Sequence, residues 1–136
     1  MAKITAEKLR TILLEAQEAG IKAGAARKAE RDKSPHSIMI VETDLAGTYR
    51  NPVGTMPEPC GMAFALIPKK ILSLRSKAVK QMVTEGLLSD WDYHKALCLR
   101  LPALDQGVSV REATVEGALE VLKRYGYEGW MDSRLD

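Results

Sequence analysis

Cysteine is nearly missing from this chain: Cys60 and Cys98 are the two among 136 residues. That is too few for a disulfide scaffold, and a reducing cytoplasm is the expected setting. Histidine is as sparse, with His36 and His94 alone. The closest potential ligand pair, His94 and Cys98, would stand about 13 Å apart on a strand, too far to share one ion. No metal and no cofactor is therefore expected. Long apolar runs are missing too. No stretch of 18 apolar residues is present to span a bilayer, and no apolar segment follows Met1–Glu7 to make a signal peptide. No internal repeat and no low-complexity tract interrupts the chain.

What is present is ordinary for a globular protein: 46% hydrophobic and 28% charged residues, in a length suited to one domain. The net charge of +2 is unevenly spread. Residues 1–80 carry 14 Lys/Arg against 8 Asp/Glu, and residues 81–136 carry 6 against 10. Such asymmetry marks either a polyanion-binding face or nothing more than solvated helix faces.

Thr5 is an N-cap candidate with Glu7 in the first turn, and residues up to Lys33 favour helix. Leu9, Ile12, Leu13, Ala16, Ala19, Ala23 and Ala26 recur at helical spacing. The second half of this stripe is thin, alanine-rich and interrupted by Gly20 and Gly24. Ser34-Pro35 ends it. Ser37–Val41 predicts a short strand, and Asp44–Pro59, with two glycines and three prolines, predicts a long loop. Cys60–Ile67 suits a central strand. Pro68-Lys69-Lys70 is expected to open a helix carrying Ile71, Leu74, Ala78 and Met82, with Gly86 just past its end. Asp90-Trp91-Asp92 reads as a turn, and the alternation from His94 to Leu101 as a strand.

Gln106-Gly107 predicts a turn, and Ser109 with Glu112 fits a capping box. Val115, Ala118, Leu119, Leu122 and Tyr125 predict a helix ending at Gly126. The terminal Tyr127–Leu135 is too short for another helix and predicts a last strand, with Tyr127 and Met131 facing the helices. Trp130 is expected on the opposite face under some other element, and Arg134 beside an acid.

The second half resembles a group of small uncharacterised proteins of tailed bacteriophages. The likeness rests on Cys60-Gly61 opening an alanine-containing strand, Arg111-Glu112-Ala113 opening the last helix, Tyr125-Gly126-Tyr127 closing it, and the terminal Ser133-Arg134-Leu135-Asp136. It runs over about residues 52–136. It departs at Leu87–Tyr93, where a long aromatic-bearing linker is expected. The resemblance implies a phage accessory role in the bacterial host cytoplasm and carries no catalytic residue with it.

Several residues invite chemistry. Cys60 and His94 would form a thiolate nucleophile if they met with a group to orient the imidazole, but no local signature of cysteine enzymes surrounds Cys60. Cys98, alternating with Ala96, reads as structural. The Gly107-Val108-Ser109 turn leads into a helix N-terminus that can hold an anion, although the capping box competes for it and the Walker A spacing is absent. Asp90 with Asp92, or Asp132 with Asp136, could act in acid/base chemistry, yet nothing nearby in sequence supplies a nucleophile. Basic residues cluster twice: Arg27, Lys28, Arg31 and Lys33, then Lys69, Lys70, Arg75, Lys77 and Lys80. Merged, with Tyr49 and Arg50 between them, they would make a patch able to displace counterions from a phosphate backbone.

The expected architecture is α+β. A long N-terminal helix, residues 1–34, serves as an assembly or packing arm. Residues 35–136 follow as β-loop-β-α-β-α-β, a two-layer mixed sheet with its helices mainly on one face. The expected function is a non-enzymatic accessory binding protein that self-associates through the first helix. Its expected ligand is nucleic acid or another phosphate-bearing molecule, held on the basic face. An inhibitor of a host (defence) protein is the alternative, and a Cys–His enzyme a third. No membrane partner is expected.

Overall fold

The computed structural model describes residues 3–33, 38–43, 49–56 and 58–135, with the backbone alone for 38–43 and 49–56. Helix α1 runs Ala6–Asp32, and Thr5 Oγ1 accepts the Lys8 N–H at 3.1 Å to cap it. Leu9, Ile12, Leu13 and Ala16 are buried, but the stripe continues through Gly20 and Gly24, and Ala26 is exposed. The reason is a close crossing by helix α3 (Val108–Arg124). A Cβ on Gly20 would stand 2.6 Å from the Thr114 carbonyl oxygen, and one on Gly117 2.7 Å from Ala23 Cβ. The small-residue face anticipated as a surface for a second copy is thus filled by α3 of the same chain.

Strands β1 (Ile38–Thr43) and β2 (Tyr49–Met56) pair antiparallel as a separate two-stranded sheet. Much of the anticipated 44–59 loop is therefore strand. Pro52 stands opposite Val41, where the register shifts. A two-stranded ribbon has only edges, and proline without an N–H is tolerated at edges and bulges. Asp44–Thr48 and Pro57 lie outside the described residues.

The main sheet is built from β3 (Gly61–Pro68), β4 (Leu88–Trp91), β5 (Ala96–Leu99) and β6 (Trp130–Leu135), in the order β4-β5-β3-β6. All its pairings are antiparallel, where a mixed sheet was expected. Each helical crossover skips one position: β3 reaches β4 through helix α2 (Lys77–Thr84) with β5 lying between, and β5 reaches β6 through α3 with β3 lying between. Two interleaved split β-α-β units of this kind make a ferredoxin-like β-α-β-β-α-β core.

Helix α2 starts later than the sequence suggests, because Pro68 still belongs to β3 and the Lys69 N–H donates to Lys95 O at 3.0 Å. Ser76 caps it at the Val79 N–H, and Gly86 ends it with φ +85°. Trp91 closes β4 rather than sitting in a turn, and Asp92–His94 form a short 3-10 turn ahead of β5. The capping box is not formed. Gly107 is the N-cap of α3, and the Glu58 carboxylate accepts the Ser109 N–H at 2.8 Å from across the fold. Glu112 instead accepts the Ser133 hydroxyl at 2.9 Å.

The core lies between the sheet and the helices. Leu9, Leu13, Ala65, Ile67, Val79, Met82, Leu97, Leu99, Val115 and Leu122 fill it, with Tyr127 and Met131 packed at its margin. Helix α1 contacts both α2 and α3 and so completes the helical layer. A second, smaller cluster of Leu66, Ala96 and Cys98 lies on the opposite sheet face under Phe64 and Trp91.

Candidate ligand-binding face

The expected basic patch does not assemble. Arg31, 8% exposed, is enclosed by three carboxylates: its guanidinium donates to Glu58 at 2.9 Å, to Asp32 at 2.8 Å, and to Asp105. Those carboxylates drive its pKa further up, most of all Asp105. Asp105 is held below the usual carboxylate range by the same hydrogen bond. Burial pushes Glu58 up, but hydrogen bonds from Ser109 and Arg31 outweigh it and leave it low. This is a closed ion cluster, with no cation left to offer a phosphate. Arg27 donates to Ser109 Oγ at 3.3 Å and approaches Glu30 at 3.8 Å, while Lys28 is half-buried nearby.

Lys69 is bound by Asp90 at 2.6 Å and Asp92 at 3.1 Å. Lys70, Arg75, Lys77 and Lys80 are exposed; Arg75 and Lys77 border a recess of about 640 Å³ with Lys3, Ile71 and Tyr127. Arg10 grips Glu85 at 2.6 Å, which ties the end of α2 to the first turns of α1 and brings Glu85 down to about 2. From Arg10 to Arg27 is 17 residues of helix, about 26 Å. The two basic clusters therefore sit at opposite ends of α1. Tyr49 and Arg50 open β2, and their side chains lie outside the described residues.

Cys60 and His94 are not brought together. Cys60 sits where β3 begins, bridged to Gly107, with its thiol 3.9 Å from Gln106 Oε1. His94 Nε2 lies 3.7 Å from Asp132 Oδ2, and Asp132 pairs with Phe64, four residues further along β3. Burial pushes the Cys98 thiol up to about 11, so it remains protonated at neutral pH. Among the described residues no three of His, Cys, Asp and Glu are grouped to hold a metal ion.

The feature that sequence reasoning missed is the helix-free face of the main sheet. Alternation and register place Met62, Phe64 and Leu66 of β3 on it, with Trp130, Asp132 and Arg134 opposite them on β6, and Trp91 beside Ala96. The 3-10 turn folds beside this face. Phe64 and Trp91 rings are 4.6 Å apart, Trp91 and His94 5.3 Å, and His94 and Tyr93 5.5 Å, in tilted or edge-on arrangements. Phe64 and Trp91 cover the small cluster. Met62 at 42%, Trp130 at 40% and Tyr93 at 96% exposure face outward. Trp130 is thus uncovered, contrary to expectation, while Arg134 does meet Asp132 at 3.1 Å.

Three acids on this side of the molecule share two fixed cations: Asp132 meets Arg134, and Asp90 and Asp92 both meet Lys69. Arg100 and Arg111 border a recess of about 320 Å³ that adjoins Met62, Phe64 and Trp91. Among the described residues neither makes an ion pair; Arg111 donates its Nε to the Asp105 carbonyl at 2.8 Å. Comparison with family models, curated proteins and solved structures found no match for the chain.

Proposed function

We propose that this protein is a non-enzymatic accessory binding protein that holds single-stranded nucleic acid on its helix-free sheet face. The observation that carries the reading is the set of outward-facing side chains there, Met62, Tyr93 and Trp130, beside Arg100 and Arg111, which make no ion pair among the described residues. Bases stack on aromatic side chains with little regard to sequence, and arginines hold the backbone beside them. The aromatics here stand on β4, its following turn, β3 and β6 rather than on both central strands. The paired aromatic motifs of RNA-recognition sheets are therefore absent, and the reading rests on these residues rather than on the topology. A phage-type accessory role agrees with it.

The test is binding of a labelled dT12 oligonucleotide to the full chain and to Trp130→Ala and Tyr93→Ala. Stacking is worth about 1–3 kcal/mol per base, so Trp130→Ala should weaken binding by roughly 5- to 150-fold. Unchanged affinity in both variants would defeat the reading. The alternative, an inhibitor seated on a host protein, draws on one further feature: among the described residues β6 pairs only with β3, so its other edge can accept a strand from a partner. A partner of that kind would be lost on placing proline in β6 but not on adding salt.

A further inference from the structure

The recess on this face has a structural cause. Strand β5 pairs with β3 only where Ala65–Pro68 meet Leu99–Ala96. Beyond Leu99 the chain parts from β3: the Arg100 N–H donates to Leu87 O at 2.9 Å, on the β4 side. Pro102 then has no N–H with which to rejoin a ladder. Contact with β3 resumes only at the Cys60–Gly107 bridge, where the Gly61 N–H donates to Gln106 O at 3.1 Å. Between these points Met62, Ala63 and Phe64 are laddered to β6 on one side and face a gap on the other. The gap is the recess of about 320 Å³, at the small end of ligand pockets. Its walls are Met62, Phe64, Trp91, Leu101 and Thr114, and Arg100 and Arg111 border it.

We propose that this split in the sheet seats one base of a bound single strand, with Arg100 and Arg111 holding the adjoining phosphate; the proposal rests on the nucleic-acid reading above. Apolar and aromatic walls suit the faces of a flat ring. An unpaired strand edge presents backbone donors and acceptors, as the rim of a base requires. The Nε bond to Asp105 O holds the Arg111 guanidinium at the recess, and a planar guanidinium suits phosphate oxygens. A charged sugar-phosphate alone would find no use for the walls, and an uncharged apolar molecule none for the arginines.

Ala103 borders the recess and is exposed, so Ala103→Trp fills it without touching the core. Titrations with thymidine monophosphate, inorganic phosphate and dT12 should be run on the full chain, on Ala103→Trp and on Arg111→Gln, with thermal melts confirming the fold. The expected result is that the monophosphate binds and competes with dT12. Ala103→Trp should remove monophosphate binding and weaken dT12 at least tenfold, and Arg111→Gln should weaken both. Unchanged dT12 affinity in Ala103→Trp and Arg111→Gln, with a loss in Trp130→Ala, would overturn the base seat and leave the platform standing. Inorganic phosphate competing as well as the monophosphate would also overturn it. No dT12 binding by the unaltered chain would overturn both.

Discussion

At the scale of single residues, Arg31 departs furthest from its sequence context. It sits in a run that looks like a solvated helix end, yet it is among the least exposed charged side chains and joins Glu58 and Asp105. Removing one partner of a buried pair leaves uncompensated charge and costs about 3–5 kcal/mol. Arg31→Met should therefore lose about that much stability at neutral pH in urea denaturation. The pH dependence has a definite sign. Glu58 and Asp105 have folded values below their unfolded ones, so their contribution is full above about pH 4 and is lost as pH falls through the lower folded values. Glu85, at about 2 beside Arg10, adds to the same acid loss. In Arg31→Met the carboxylates gain by protonation instead, so the deficit of the variant should shrink below about pH 4. A deficit constant from pH 7 to pH 3 would contradict this account. A signal for the burial existed: Arg31 continues the spacing of Gly20 and Gly24 along α1. Its partners, 27 and 74 positions away, left none.

At the scale of elements, the crossing of α1 and α3 decides how the helical layer is spaced. Alanine in place of a helical glycine ordinarily adds about 1 kcal/mol. At Gly20 the added Cβ would meet backbone, the Thr114 carbonyl oxygen at 2.6 Å, so the helices must move apart. Overpacking of this kind costs about 1–3 kcal/mol. Gly20→Ala should lower the melting temperature, whereas Ala26→Leu on the exposed side should leave it nearly unchanged; a rise in Gly20→Ala would refute the close crossing. Elements with strong local signals were legible in the sequence: the Thr5 cap, the buried β3, the Gly86 terminus and the terminal strand that brings Met131 onto the core. Strand β2 was hidden by Pro52 and Gly54, and β4 by the two aspartates around Trp91. The cap of α3 was misassigned because Glu58, 51 residues from Ser109, out-competes the local Glu112.

At the scale of the molecule, α+β was legible from the order of patterns, but the candidate site was not. Faces of a sheet exist only after register is set, and no local pattern places Met62 opposite Arg134 or opens a gap beside Phe64. Charge counting pointed to two basic clusters, and pairing by Asp105, Glu58, Asp90 and Asp92 removed Arg31 and Lys69 from that count. The two sites make different predictions for salt. A single strand releases about 0.7 counterion per contact, so two or three arginines in and around the recess give a log–log slope of about −1.4 to −2. Eight basic residues of the two clusters would give about −5 to −6 by the same rule. Measured dT12 affinity between 50 and 300 mM salt should follow the shallower line.

The Arg31–Glu58 bond also makes the two ends of the intervening segment neighbours, for the last turn of α1 and the residue after Pro57 touch at 2.9 Å. Residues 34–57 thus leave and rejoin the fold at an ionic socket, and the core of the described residues is drawn from the chain on either side of them. Six extended residues reach about 20 Å, ample to join Lys33 to Glu58. A chain in which a six-residue Gly-Ser linker replaces 34–57 should keep its cooperative melt, and the socket should accept foreign hairpins as readily as its own. Collapse of that shortened chain to an unfolded state would show instead that the segment is wired into the core.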